Sequence, residues 1–247
     1  AIKAGEFKMY LQPQISAKTR RLTGAEALVR RIKPDGTIIS PIDFIPVYEK
    51  SGLISRLDRY IWEQAAAKLG EWKKAGINMS ISVNISPKDF YYIDIFNTFA
   101  GLIKKYDIEP SNLKIEITET TIMSDVPNLM GELEELRKAG FTLEMDDFGS
   151  GYSSLNTLKD INVDVLKVDM GFIKETKNVK KSRIILASVI KMAKELNLLI
   201  ITEGVETEEQ VDNLTKLGCD VFQGYYFSKA IDVNEFEKRY LYRKKAG

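Results

Sequence analysis

Short apolar runs alternating with polar residues recur along the chain, separated by longer stretches where apolar residues return every three or four positions. In "SISVNIS", Ile81, Val83 and Ile85 share one face and Ser80, Ser82 and Asn84 the other. Period two of this kind marks a strand buried on one side. The same pattern predicts strands over Phe7–Ile15, Arg21–Arg31, Met79–Ile85, Leu113–Thr118, Phe141–Asp146, Val165–Val168, Leu198–Thr202 and Asp220–Phe222. Helical periodicity predicts helices over Ser55–Ala75, Pro87–Tyr106, Val126–Ala139, Val179–Leu196, Glu208–Leu217 and Val233–Tyr242. Gly76, Gly140 and Gly218 each follow a helical stretch, where a left-handed capping residue belongs. Ser86 and Pro87 read as the N-cap and first turn of their helix.

Eight strand candidates, mostly separated by helices, point to an α/β fold, a single (β/α)8 TIM-type barrel. The 247 residues suit one such barrel, and no linker-like or low-complexity stretch divides them. An open doubly wound sheet is the alternative, but the Gly-rich phosphate loop that usually follows its first strand is absent.

In a barrel, alternate strand residues point inward and active sites form at the strands' C-terminal ends. Glu116 takes the inner face of "LKIEITE", Lys167 and Asp169 share a face in "LKVD", and Glu26, Leu28 and Arg30 align in "EALVR". "LLIITEGVE" turns acidic at Glu203, "DVFQG" ends in Gln223, and "LEMDDFGSGYSS" sets Asp146 and Asp147 at the end of an apolar run. Any one of these residues alone reads as the solvated start of a loop. Repeated at most strand ends, they read as one site at the barrel mouth.

Composition narrows the chemistry. A formal net charge of +1 argues against a nucleic-acid polymer as partner. Cys219 is the only cysteine, so neither a disulfide framework nor a cysteine zinc site is available. With no histidine, a Ser-His-Asp triad, a Cys-His pair and an imidazole zinc site are excluded. No apolar stretch reaches transmembrane length and no signal-peptide pattern opens the chain, so a cytoplasmic domain without direct membrane insertion is expected. The start at Ala1 suggests a piece of a longer protein, and the parent can still be membrane-anchored.

Glu26, Glu116, Asp146, Asp147 and Glu203 would converge in one cavity, where ionised carboxylates repel unless some protonate or cations bind. Two divalent ions answer that repulsion. Asp146 can bridge both, Asp147 can reach the second, and Asn84 adds a neutral amide oxygen. An all-oxygen ligand set favours Mg²⁺ or Mn²⁺ over zinc. Paired metals of this kind serve phosphoester hydrolysis.

"EALVR", "SVNIS", "IEITE", "DDFGSGYSSL", "LKVD", "EGVET" and "QGYYFS" occur in the order and approximate spacing of the EAL-domain cyclic-di-GMP phosphodiesterases, which the chain resembles over nearly its whole length. The resemblance implies hydrolysis of cyclic di-GMP to linear pGpG with two Mg²⁺ or Mn²⁺ ions. It places Glu26, Asn84, Glu116 and Asp146 at a first metal and Asp146 and Asp147 at a second. Lys167 and Glu203 match residues that position and activate the attacking water. Gln12, Arg30 and Gln223 match positions around the substrate. Glu119 matches a residue holding the "DDFGSGYSS" loop in shape, and Asp169 and Glu206 match supporting positions behind the ligands. A first strand antiparallel to the rest, a homodimer formed beside Asp147, and a place in a larger multidomain signalling protein are also implied. The domain is expected over 1–243, with a basic tail at 244–247.

Departures from the family pattern are few: Ala230 stands where proline is common, and Thr202 where alanine is. Glu144 shares parity with Asp146, which places it inside the barrel below the acids with Lys114 as its candidate partner. Arg31 is expected in solvent, and Trp62 and Trp72 in the core or an interface. Two other functions compete with the hydrolase: a catalytically silent cyclic-di-GMP receptor, and a barrel that enolises acids with Mg²⁺.

Overall fold

The computed structural model describes residues 1–124, 126, 128–149, 158–159, 161–171 and 179–242. Eight strands close on themselves: β1 (Phe7–Ser16), β2 (Leu22–Ile32), β4 (Ile81–Asn84), β5 (Leu113–Thr118), β6 (Leu143–Asp146), β7 (Val165–Asp169), β8 (Leu199–Glu203) and β9 (Val221–Phe222). All eight correspond to predicted strands. β1 runs antiparallel to both its neighbours, β2 and β9. The remaining neighbours around the ring are parallel. The molecule is therefore an α/β barrel with one reversed strand, as the family resemblance implies.

Periodicity missed two short strands, β3 (Ile38–Ile39) and β10 (Ile231–Asp232), which extend the sheet beside β2 and β1. Two-residue strands leave no alternation to read. It also missed α1 (Pro41–Lys50), whose internal Pro46 contradicts a helical reading.

Helix α2 (Ile54–Lys74) packs Leu57, Ile61, Ala65, Leu69 and Trp72 from one side into the core. Trp62 is fully buried, and its ring N–H donates to the Asn84 carbonyl at 2.9 Å. Burying a large apolar side chain is worth roughly 1.5–3 kcal/mol, so this contact fixes the end of β4 as well as filling space. The predicted helix Pro87–Tyr106 is in fact two, α3 (Asp89–Tyr92) and α4 (Ile95–Tyr106). Asp94 divides them by accepting from the Asn97 N–H at 3.0 Å, which makes it an N-cap. Pro87 lies in the turn before α3, and the Ser86 N–H donates to Asp89 at 2.8 Å.

The other α-helices given for the described residues are α5 (Glu119–Ile122), α6 (Leu129–Lys138), α7 (Val179–Glu195), α8 (Glu208–Leu217) and α9 (Val233–Phe236). A π-helical turn over Glu237–Leu241 replaces the expected continuation of α9. Gly76, Gly140 and Gly218 all have positive φ, in keeping with their place after α2, α6 and α8. Phe7, Phe44, Ile54 and Leu57 form a smaller cluster beside the main core, tying α1 to the β1–β2 hairpin. No described helix is long and apolar enough to cross a membrane.

Candidate active site

Strand register decides which polar residues meet. Glu26 of β2 lies opposite Gln12 of β1 and Ser82 of β4. Asn84 lies opposite Glu116, Glu116 opposite Glu144, and Asp169 opposite Glu203. Asn84, Asp146, Asp169 and Glu203 are each the last residue of their strand, so their side chains gather at one rim.

Lys167 stands at the centre. Its ammonium is 2.8 Å from Glu203, 3.0 Å from Glu116, 3.3 Å from Asp146 and 3.4 Å from Glu26. The side chain is 1% exposed, so the charge is almost wholly removed from water. Burial works against that charge, but Glu116, Glu203, Glu26 and Asp146 outweigh it and hold the Lys167 pKa well above the ordinary lysine value. One cation cannot neutralise four acids. Burial, joined by the Glu26 charge, pushes Glu116 well above the usual carboxylate range. Burial likewise raises Glu203 to about 8, with Asp146 and Glu26 adding to the effect and Lys167 opposing it. Glu116 Oε1 has only the Lys167 ammonium, 3.0 Å away and shared with three other acids, and Oε2 accepts no hydrogen bond among the described residues. The cluster is short of positive charge, and oxygen donors short of partners fit a hard divalent cation. Among the described residues no three carboxylates are set around a common point as metal ligands. The Lys167 ammonium takes the place where they converge.

Amides complete the rim. Asn84 donates to Glu26 at 3.3 Å, and the Gln223 amide donates to Glu26 and, at 3.4 Å, to Gln12. Gln14 donates to Gln223 at 3.2 Å and is 1% exposed. Sequence reasoning missed Gln14, although its parity with Gln12 was a usable signal.

Asp147 has φ 56°, a left-handed conformation that Asp tolerates, and its N–H donates to Asp146 at 2.9 Å. The turn breaks strand alternation, which otherwise sends adjacent aspartates to opposite faces. Partial burial and the Asp146 charge raise the Asp147 carboxyl. Asp169 accepts from the Gly171 N–H at 2.7 Å, Glu119 is buried at the start of α5, and Glu206 lies at the rim near Asp169 and Gln223. Arg30 lies over the Tyr10 ring, 5.9 Å from its centroid. Arg31 departs from expectation: it pairs with Glu6 at 2.9 Å instead of being left to solvent. The loop "GSGYSS" beyond Gly149, the expected dimer contact beside it and the tail at 244–247 lie outside the described residues.

Two clefts meet at Glu26. One, of ≈ 340 Å³, is bounded by Arg30, Pro41, Asp58 and Asn84; the other, of ≈ 410 Å³, by Gln12, Glu203, Gln223 and Tyr225. Asp58 was not anticipated. Burial raises its carboxyl well above the normal range, and the Asp89 charge beside it adds to the shift. Asp89 itself is 0% exposed and raised by burial to about 6.

Comparison with known proteins agrees with this geometry. Residues 1–230 match the model of the EAL domain family. The signaling protein YkoW of Bacillus subtilis is 37% identical over 238 residues, covering 96% of this chain and 30% of YkoW. The cyclic di-GMP phosphodiesterase PA2567 of Pseudomonas aeruginosa is 31% identical, covering 94% of this chain and 39% of PA2567. A solved structure described as the PaMucR phosphodiesterase in complex with c-di-GMP superposes with a TM-score of 0.89 at 33% identity, covering 96% of both chains. The chain belongs to the EAL domain family. It spans about a third of the length of the curated relatives it matches.

Proposed function

We propose that the chain is a phosphodiesterase that hydrolyses one phosphodiester of cyclic di-GMP to linear pGpG, using two Mg²⁺ or Mn²⁺ ions. The observation that carries this reading is the convergence of Glu26, Glu116, Asp146 and Glu203 on Lys167 at the rim of the barrel. Relatives named as cyclic di-GMP phosphodiesterases, and a similar structure described with that ligand bound, support the substrate. Two clefts joined at Glu26 suit a ligand with two base-bearing lobes and its phosphates between them.

Glu26, Asn84, Glu116 and Asp146 would hold one ion, and Asp146 with Asp147 the other. Such ions supply positive charge at the phosphoryl oxygens and make a water easier to deprotonate. The chain's own groups do the rest. Glu203, 2.8 Å from the Lys167 ammonium, is placed to accept a proton from the attacking water once cations at the rim hold it ionised. Lys167, held charged by its neighbours, both orients Glu203 and offsets charge that builds on the phosphate. Gln223 donates to the Glu26 carboxylate and to Gln12, both amides face the ligand, and Arg30 suits a phosphate oxygen. Glu119 supports the loop after Asp147, and Asp169 and Glu206 support the rim.

We also read residues 1–243 as one EAL domain, acting as a homodimer within a larger cytoplasmic or membrane-anchored signalling protein; the greater length of the relatives supports the last point. Incubating the pure chain with cyclic di-GMP in Mg²⁺ or Mn²⁺, and separately in EDTA, tests the activity. Metal-dependent pGpG on chromatography is expected. Tight binding without product would instead make the chain a silent receptor.

A further inference from the structure

The motif "QGYYFS" gives the proposed chemistry Gln223 but leaves its two tyrosines without a role. The backbone around them is fixed on both sides. The Gln223 N–H donates to the Thr202 carbonyl at 2.9 Å, and the Gln223 carbonyl accepts from the Val205 N–H at 3.2 Å. Gly224 follows, pressed against the Val205 backbone so closely that no Cβ fits. Its carbonyl accepts from the Phe227 and Ser228 N–H groups, both at 3.1 Å, which closes a tight turn. Phe227 stacks on the fully buried Phe222, ring centroids 6.2 Å apart, and ties the turn to the core. Tyr226 meets Phe227 edge to face at 4.9 Å. The Ser228 carbonyl accepts from the Gln12 amide at 3.3 Å.

Tyr225 sits differently on the same turn. It is 63% exposed, yet it lines the cleft that holds Gln12, Glu203 and Gln223. The Lys229 ammonium lies 5.1 Å from its ring centroid, a cation–π contact that steadies the ring at the rim. The rest of the cleft narrows what that ring can meet. Gln12, Glu26, Asp169, Glu203, Glu206 and Gln223 are all polar and mostly acidic. Among the described lining residues Tyr225 is the only aromatic, and only Leu28 besides it offers a sizeable apolar face. A nucleobase needs such a face, because its hydrogen-bonding groups lie on its edge and its flat sides can only stack. A ring held in place beforehand also loses little freedom on binding.

We propose that Tyr225 is a specificity-determining residue of the second cleft, its ring the surface on which one base of the ligand stacks. The inference rests on the cyclic-di-GMP reading above and deepens it. It assigns the contact to a side chain outside the cluster of acids around Lys167.

The test is cyclic di-GMP binding by calorimetry in EDTA, which stops metal-dependent turnover, with kcat and KM in Mg²⁺ measured in parallel. Wild type is compared with Y225A, Y225L and Y225F. Y225A should weaken binding at least about fivefold, the low end for a lost base–aromatic stack. KM should rise by a similar factor while kcat changes less. Y225L, which keeps apolar bulk without a ring, should also bind weakly. Y225F, which keeps the ring, should restore affinity to within about twofold. The side chain is mostly exposed, so these variants should fold, and the contrast of Y225L with Y225F separates stacking from a slackened turn. Wild-type affinity in Y225A or Y225L overturns the inference. Y225F binding as weakly as Y225A also overturns it, by assigning the contact to the hydroxyl. A wild type that neither binds nor cleaves cyclic di-GMP overturns the ligand reading itself, so wild-type binding keeps the two failures apart.

Discussion

Lys167 and Glu203 face one another from adjacent parallel strands, the ammonium 2.8 Å from a carboxylate oxygen and closed off from bulk water. Lys167 is the counter-charge that lets three further acids share the same space. Replacing it by methionine removes that compensation while keeping the volume. K167M should lose about 3–5 kcal/mol of stability in urea titrations without divalent ions, the usual cost of stranding buried charge. Added Mn²⁺ should recover part of the loss. A variant as stable as wild type in EDTA would show that the acids are already neutral without Lys167.

Glu26→Ala separates stability from function. Glu26 adds to the repulsion that raises Glu116, and it accepts from Asn84 and Gln223. Its loss should abolish turnover and remove any rise in melting temperature that Mn²⁺ produces in wild type. Without metal the variant should melt close to wild type, because relief of repulsion offsets the lost hydrogen bonds. Near-full activity in E26A would reject its place among the ligands.

Asp89 gives a pH signature away from the rim. Burial raises its folded-state pKa to about 6, above the value expected in the unfolded chain. The folded protein therefore binds the proton more tightly. Stability from this group is fully present below the unfolded pKa and is lost as pH rises through about 6. Asp58, raised well above its normal range by burial and by Asp89, and Glu49 near it share the region. Urea unfolding of wild type should show a decline on the order of 1 kcal/mol between pH 5 and 7.5 relative to D89N, which keeps an acceptor for the Ser86 N–H. Parallel pH curves would mean that Asp89 does not titrate there.

Gly224 follows Gln223 where the chain presses against its neighbour. A Cβ at this position would lie 2.2 Å from the Val205 carbonyl oxygen and 2.3 Å from its nitrogen. Backbone cannot yield as a side-chain tip can, so G224A should cost about 3 kcal/mol, at the upper end for overpacking. Because Gln223 and Tyr225 flank it, activity should fall more than the folded fraction does. An unchanged melting temperature would contradict the close approach.

Much of this was legible in residue order. Alternation found all eight barrel strands, because one-residue parity divides core from interior. The same parity put Glu116 on the inner side, aligned Lys167 with Asp169 and set Glu144 with Asp146; Lys114, the candidate partner for Glu144, pairs with it in the structure at 2.9 Å. The family resemblance, and not periodicity, implied the reversed β1. Other features had no local signature. Asp147 stands at the rim through a left-handed turn, which spacing does not encode. Asp58 and Asp89 meet from two helices, α2 and α3, 31 positions apart, and each alone reads as an ordinary surface acid. Pro46 concealed α1, and Asp94 divided one expected helix into two.

The central claim is that these acids form a binuclear cation centre. Crystals soaked in Mn²⁺ and measured for anomalous scattering test it most directly. Two peaks beside the Asp146 carboxylate are predicted, one toward Glu26, Asn84 and Glu116 and one toward Asp147. A map with no peak there, and Lys167 still seated among the four carboxylates, would contradict it.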